Sequence, residues 1–235
     1  MSARLRFALR VLPIVLVTHV IGMASPISAS AQNMGGPDYQ ADAYNLNAMF
    51  VAVAKQGQRE RALALLDRGA AIDTRNRNGE TALMLFTKRG DLPTVRDLIA
   101  RGANVNLPAL NRATPLMSAA IEGRVELMQV LLDAGADPKL VDQLGKTAMV
   151  YAAGAGRAEA VALLLDRGID VNATYVHDLT ALMWAAGKGS DATVRLLLDR
   201  GADAARRDDR GKTAADIASA AGHASTVRLL EATAR

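Results

Sequence analysis

TALMWAAGKGSDATVRLLLDRGAD, residues 180–203, is the stretch whose reading decides the fold. Thr180 is a good helix N-cap, because its hydroxyl can take an orphan backbone N–H of the first turn. The short helix that follows ends at Gly189, where glycine tolerates a left-handed turn. A second helix then carries Val194, Leu197 and Leu198 at i, i+3 and i+4, which is one apolar stripe. Gly201 closes that helix. One such helix pair is too small to bury its own stripe, so the unit needs neighbours.

The neighbours are in the chain. Thirty-three residues earlier stands TAMVYAAGAGRAEAVALLLDRGID (147–170), and before it TPLMSAAIEGRVELMQVLLDAGAD (114–137) and TALMLFTKRGDLPTVRDLIARGAN (81–104). Glycines recur at 57, 90, 123, 156, 189 and 222; a second series runs 69, 102, 135, 168 and 201; threonines recur at 81, 114, 147, 180 and 213. Three series locked to one step, without insertion or deletion, mark an internal repeat. The second-helix stripe is repeated as Val95, Leu98, Ile99; Met128, Leu131, Leu132; and Val161, Leu164, Leu165. Pro115, just after Thr114, sits where a helix needs no N–H. The alanine pairs 119–120, 152–153 and 185–186 allow close helix approach, and segments such as GIDVNATYVHDLT (168–180) read as extended hairpins between units.

With its 33-residue step, its TPLM and TALM helix starts and its GANVN and GADP turns, the chain resembles the ankyrin-repeat family over residues 43–235. The resemblance implies an all-α ankyrin-repeat solenoid of helix-turn-helix units joined by extended hairpin loops. Six units follow: 43–75, 76–108, 109–141, 142–174, 175–207 and 208–235. The family's usual histidine after T-P-L is missing; Met84, Met117, Val150 and Met183 stand there, so these junctions should rely on packing. The first unit has Ala48 in place of the capping threonine. The last stops after its second helix and places Asp216 and Glu231 at positions that are apolar elsewhere. Both read as capping units with polar outer faces.

Composition agrees with short stacked helices. Half of the 235 residues are hydrophobic, yet only 3% are aromatic, so close packing must come from Ala, Leu and Val. Without cysteine there is no disulfide, thiolate metal site or Cys nucleophile. The N-terminus reads as a signal peptide over 1–31. It has a basic start (Arg4, Arg6, Arg10), an apolar run too short to span a bilayer, and an Ala29-Ser30-Ala31 cleavage site. Cleavage after Ala31 would place the mature protein in the periplasm or outside the cell, with no stable membrane anchor. The segment and the Ala- and Arg-rich chain suggest a Gram-negative bacterium. Residues 32–42, with Gly-Gly-Pro, read as a flexible linker. Removing residues 1–31 takes Lys+Arg from 28 to 25 against 24 Asp+Glu, so a net charge of +4 falls to +1. A nearly neutral chain makes no global case for nucleic acid.

No catalytic constellation stands out from the repeat. Of the histidines outside the signal peptide, His223 follows a helix-ending glycine and reads as structural; His177, in a hairpin, reads as exposed or as an interface contact. Neither has ligand-spaced companions. The Asp-Arg pairs of the LLDRG turns read as solvated helix ends, the cation favouring the negative end of the dipole. The glycines form no phosphate loop, so no cofactor is implied. The expectation is a monomeric, non-catalytic scaffold for an unknown protein partner.

In the resembled family, partners dock on the concave side formed by hairpin tips and first helices. Lys88-Arg89, Ile121-Glu122, Gly154-Ala155 and Gly187-Lys188 hold those positions here, with Leu85, Ser118, Tyr151 and Trp184 three residues before each pair. The hairpins add Arg75, Arg77, Asn78 and Glu80 at one end and Leu110, Val141, Leu144, Tyr175, Val176 and Leu179 in the middle. At the far end stand Arg206, Arg207, Asp209, Arg210 and Lys212. An apolar, aromatic centre between charged ends suits a protein groove whose hot spots are Tyr151 and Trp184. In the other reading, these two rings pack between adjacent first helices. The alternative function is nucleic-acid or other anion binding through the basic C-terminal hairpin, where Asp203, Asp208 and Asp209 interrupt the cations.

Overall fold

The computed structural model describes residues 37–233. The expected signal peptide and its cleavage site lie outside the described residues. Among the described residues there are twelve α-helices, one short 3-10 turn (Val176–Asp178) and no strand. Hairpin pairing is limited to two isolated bridges, Arg75 with Thr81 and Thr174 with Thr180. The first helices of the six units are α1 (Pro37–Gln56), α3 (Ala82–Arg89), α5 (Pro115–Glu122), α7 (Ala148–Gly154), α9 (Ala181–Lys188) and α11 (Ala214–Ala220). The second helices are α2 (Arg59–Asp67), α4 (Leu92–Ala100), α6 (Val125–Asp133), α8 (Ala158–Asp166), α10 (Asp191–Asp199) and α12 (Ala224–Thr233). First helices stack on first helices along the whole chain, and second helices do so from α4 to α12. The result is the expected all-α repeat solenoid.

One boundary differs from the expectation. Residues 37–42, read as linker, are the first turns of the 20-residue α1. Pro37 is the reason the breaker reading fails there: at the first position of a helix its missing N–H is no loss.

Elsewhere each unit is built as its residues dictate. Thr81, Thr114 and Thr180 accept the N–H of Met84, Met117 and Met183 at 3.3 Å, and Thr147 that of Val150 at 3.4 Å. The methionines in the family's histidine position do more than pack. Met117 and Met183 Sδ each accept the N–H of their own capping threonine at 3.5 Å. Helix α9 ends as expected at Gly189, φ 71°. The second-helix stripe is the floor of every layer: Val95, Leu98, Met128, Leu131, Val161, Leu164, Val194 and Leu197 are fully buried, while Ile99, Leu132, Leu165 and Leu198 are partly buried against them. Asp216 and Glu231 are exposed, as the polar face of an end unit requires.

Side chains stitch the layers together at two levels. Arg124 and Arg157 each donate at 3.1 Å to the carbonyls of Lys88 and Ile121, which end the preceding first helix. His223 makes the same contact with the Gly187 carbonyl at 3.2 Å, so its role is structural. At the ends of the second helices, Arg101, Arg167 and Arg200 reach Asp67, Asp133 and Asp166 of the unit before at 2.6–2.7 Å. The Asp-Arg pairs are therefore not merely solvated helix ends. They form a ladder that sequence reasoning missed, because the partners are 34 residues apart.

Candidate functional site

The hairpins and first helices present the variable residues of the chain. In units two, four and six the hairpin opens with Asn76, Asp142 or Asp208, whose side-chain oxygen accepts two backbone N–H groups of its own turn. For Asp142 these are Leu144 at 2.8 Å and Lys146 at 2.9 Å; for Asp208, Arg210 at 3.0 Å and Lys212 at 2.8 Å; for Asn76, Asn78 at 2.8 Å and Glu80 at 3.0 Å. Glycine then takes the positive φ that the turn needs, at 79, 145 and 211. Units three and five begin instead with Ala109 and Tyr175. Their turns place Arg112 (φ 61°), His177 (φ 61°) and Asp178 (φ 55°) in the left-handed region without glycine.

Asp142 organises the centre of the face. Its second oxygen accepts the Tyr151 hydroxyl from α7. Burial pushes the Asp142 carboxyl up, yet this bond and the two backbone N–H groups hold it below the ordinary carboxylate range. Tyr151 is correspondingly pushed up to about 12, first by burial and then by Asp142. The turn also delivers the Lys146 ammonium over two rings, 5.9 Å from the Tyr151 centroid and 5.0 Å from that of Trp184. Such contacts contribute roughly 0.5–1 kcal/mol at exposed sites.

Trp184 packs against the neighbouring first helix and also lines a surface depression. Its ring leans on the preceding first helix: a Cβ on Gly154 would lie 3.6 Å from Trp184 Cε3. Its Nε1 is buried without a hydrogen-bond partner among the described residues. The ring also borders a depression of about 280 Å³, shared with Gly154, Leu179, Gly187, Lys188, Arg210 and Ile217. Of the two arrangements left open by the sequence, the structure has the rings partly buried: Tyr151 and Trp184 pack on the core and lie under Lys146. Among the described residues the most exposed large apolar side chains are Leu110 and Leu144, 65% and 64% exposed at the hairpin tips.

Tyr175 and Val176 do not join that depression. They line a separate cavity of about 490 Å³ between the hairpins of units four and five, with Val141, Met149 and Ile169. Burial pushes the Tyr175 hydroxyl up to about 12. The Thr147 hydroxyl opposes the shift but lies outside hydrogen-bond geometry. His177 is exposed and its Nδ1 lies 2.8 Å from Asp209, tying the tips of units five and six.

The charged ends are largely engaged. Lys88 pairs with Glu80, and Arg89 donates to the Lys55 carbonyl. Arg75 and Arg77 are exposed. In the C-terminal hairpin, Arg210 grips buried Asp208 at 2.6 Å and Arg207 donates to the Gly211 carbonyl at 2.8 Å. Two of the four cations offered for an anionic ligand are therefore committed to the hairpin itself, which weakens that alternative. Sequence reasoning missed Lys146 and Asp142. The available signal was the Asx-to-glycine spacing, which fixes where residue 146 points.

Residues 49–142 and 175–234 match the family model described as "Ankyrin repeats (3 copies)", and residues 144–175 match "Ankyrin repeat". The chain belongs to the ankyrin-repeat family. Ankyrin repeats are in general protein–protein interaction modules, and proteins built from them are typically non-catalytic scaffolds. No individual protein of curated function matches the chain. Among the described residues no cluster of His, Asp and Glu could hold a metal ion, and no helix is long and apolar enough to cross a membrane.

Proposed function

We propose that this ankyrin-repeat protein is a non-catalytic scaffold that acts outside the cytoplasm. It binds a protein partner along the hairpin and first-helix face, centred on units four and five. The observation that carries the reading is the pair of aromatic rings that units four and five alone carry at this place in their first helices. Their buried stripe, Val161 with Leu164 and Val194 with Leu197, matches Val95 with Leu98 of unit two, while their first helices present Tyr151 and Trp184 beside Gly154 and Gly187. Aromatic residues bordering a depression, with cations at the rim, are the side chains that dominate protein interfaces. Action outside the cytoplasm rests on the basic start, apolar run and Ala29-Ser30-Ala31 site of residues 1–31.

Two measurements test the two halves. Mass spectrometry of the protein from its native host should find Gln32 as the N-terminus; full-length chain in the cytosolic fraction would refute export. For binding, affinity capture from a periplasmic extract should retain a partner that Trp184→Ala weakens by about 2 kcal/mol or more. Because the ring also packs on α7, unfolding of the same variant is measured alongside. A variant that loses stability but keeps its affinity per folded molecule would refute the proposed face.

A further inference from the structure

We infer that the cavity between the hairpins of units four and five is a binding site for a free, uncharged small molecule with an apolar body and one carbonyl oxygen. This site goes beyond the protein-binding face and does not depend on it. Two kinds of hydrogen bond clasp each hairpin to the next. At the base, an Asx side-chain oxygen accepts a backbone N–H of the following hairpin: Asp73 that of Asn104 at 3.0 Å, Asn106 that of Asp137 at 2.8 Å, and Asn172 that of Asp203 at 2.8 Å. At the tip, a backbone carbonyl does the same: Asn78 for Leu110 at 2.9 Å, Asn111 for Gln143 at 3.0 Å, and His177 for Asp209 at 3.2 Å. The hairpins of units four and five lack both clasps. The base position there is Lys139, whose ammonium cannot accept the Asp170 N–H. At the tip, no bond joins the Val176 N–H to the Leu144 carbonyl. The cavity lies in this one unclasped gap, and Lys139, Asp170 and Val176 all line it.

Size, lining and open hydrogen-bond groups together describe the occupant. A volume of about 490 Å³ falls within the roughly 300–1,000 Å³ of small-molecule sites. Val141, Met149, Ile169, Tyr175 and Val176 make the walls mainly apolar. The tip is closed by packing in place of its hydrogen bond, for a Cβ on Gly145 would stand only 2.5 Å from Val176 Cγ2. At the base the Asp170 N–H has no acceptor among the described residues. In the three clasped gaps an amide or carboxylate oxygen meets the equivalent N–H, so an occupant that brings such an oxygen replaces the missing clasp. Its charge is limited from both sides. Exposed Lys139 disfavours a cation at the rim. Burial and the Asp170 charge both push the Tyr175 hydroxyl up, so the negative field of Asp170 reaches the wall and disfavours an anion. A carbonyl supplies the acceptor without charge.

Prodan, an uncharged naphthyl ketone whose emission moves to the blue in apolar surroundings, is a suitable probe. Titrated with the whole folded chain, it should show saturable binding at one site with a blue shift. Two variants locate that site. Ala173→Leu adds a side chain to the cavity wall, and Lys139→Asn offers the Asp170 N–H the oxygen that it receives in the other gaps. Each should weaken Prodan binding about tenfold or more, since the first removes space and the second removes the ligand's hydrogen bond. Lys139→Asn should also raise the melting temperature. Melting is measured for both variants, and affinities are compared between folded chains. Lys139 is exposed, so its variant keeps the fold even if the leucine crowds the wall. No saturable binding to the unaltered chain overturns the inference, and so does a folded Lys139→Asn chain that binds Prodan unchanged. Protein binding on the first-helix face would stand in either case.

Discussion

The two sides of this solenoid obey the repeat unequally. On the second-helix side every layer from unit two to unit five has the same floor, and the residues at its centre, Leu98, Leu131, Leu164 and Leu197, are all fully buried. On the hairpin side the first position runs Asn76, Ala109, Asp142, Tyr175, Asp208, and two different turns alternate. The difference follows from what surrounds each position. A floor leucine touches its own unit and both neighbours, so a change there is felt in three layers. A hairpin residue needs only its own turn satisfied, and the chain has found two ways to do that. Individuality accumulates where the packing constraint is weakest.

The largest effect should come from the uniform side. Leu164→Ala should cost roughly 2–5 kcal/mol, the range for truncating a large buried side chain. If the layers are equivalent, Leu131→Ala and Leu197→Ala fall in the same range by chemical denaturation. A cost below about 0.5 kcal/mol at Leu164 would mean that this residue is not a floor residue.

Next in size is the hairpin that uses Asp142. Asp142→Ala strands two backbone N–H groups and the Tyr151 hydroxyl, at about 1–3 kcal/mol for buried polar groups left unpaired. Asp142→Asn should cost clearly less, since Asn76 already performs the same turn in unit two. Acid gives an independent check. Asp142 and Asp208 are both held below the ordinary carboxylate range in spite of burial. A depressed folded pKa adds stability that is present above the unfolded value, about 3.9, and is lost as pH falls through the folded one. Melting temperatures should therefore decline on acidification below about pH 4, and Asp142→Asn should flatten part of that decline. An unchanged slope in the variant would remove Asp142 from the account.

These contrasts also show what could be read from residues alone. Period, caps and buried stripe were legible because each is a local pattern repeated four to six times, and His223 was legible as structural for the same reason. The site was only half legible. Trp184 and Tyr151 could be placed on one face by helical spacing, but whether they were open depended on Lys146, which arrives from a turn that Asp142 shapes. Arg210 and Arg207 looked like free cations because their acceptors, Asp208 and the Gly211 carbonyl, come close only once the hairpin closes. The Arg–Asp ladder and the helical start at Pro37 were hidden for related reasons: the first is a contact between units, and the second turns on proline's dual use as breaker and helix starter.

A smaller effect should separate the two hairpin types. Arg112 holds φ 61° where units two, four and six use glycine. The left-handed region costs a side-chain-bearing residue about 1–2 kcal/mol. Glycine's extra freedom when unfolded returns about 0.5–1 kcal/mol of that. Arg112→Gly should thus stabilise the chain by at most about 1.5 kcal/mol, whereas Gly145→Ala in the other turn type should destabilise it, since a Cβ there would sit 2.5 Å from Val176 Cγ2. Opposite signs in thermal unfolding are the expected outcome. Matching signs would mean that the two turns are not distinct solutions.

The smallest effect tests how uniform the second-helix side is at its rim. The ladder of Arg101–Asp67, Arg167–Asp133 and Arg200–Asp166 skips one rung, because the residues at the missing positions are Ala134 and Ala100. Both alanines are exposed, so Ala134→Arg with Ala100→Asp can complete the series without touching the core. Exposed ion pairs are screened by water and must hold two long side chains still, which limits the gain to roughly 0.2–1 kcal/mol. The coupling is read from a double-mutant cycle, since each single variant changes helix-end charge by itself. A coupling of a few tenths of a kcal/mol that fades at high salt would show the rung to be equivalent to its neighbours. A coupling of zero at low salt would show that the rim, unlike the floor, is not interchangeable from layer to layer.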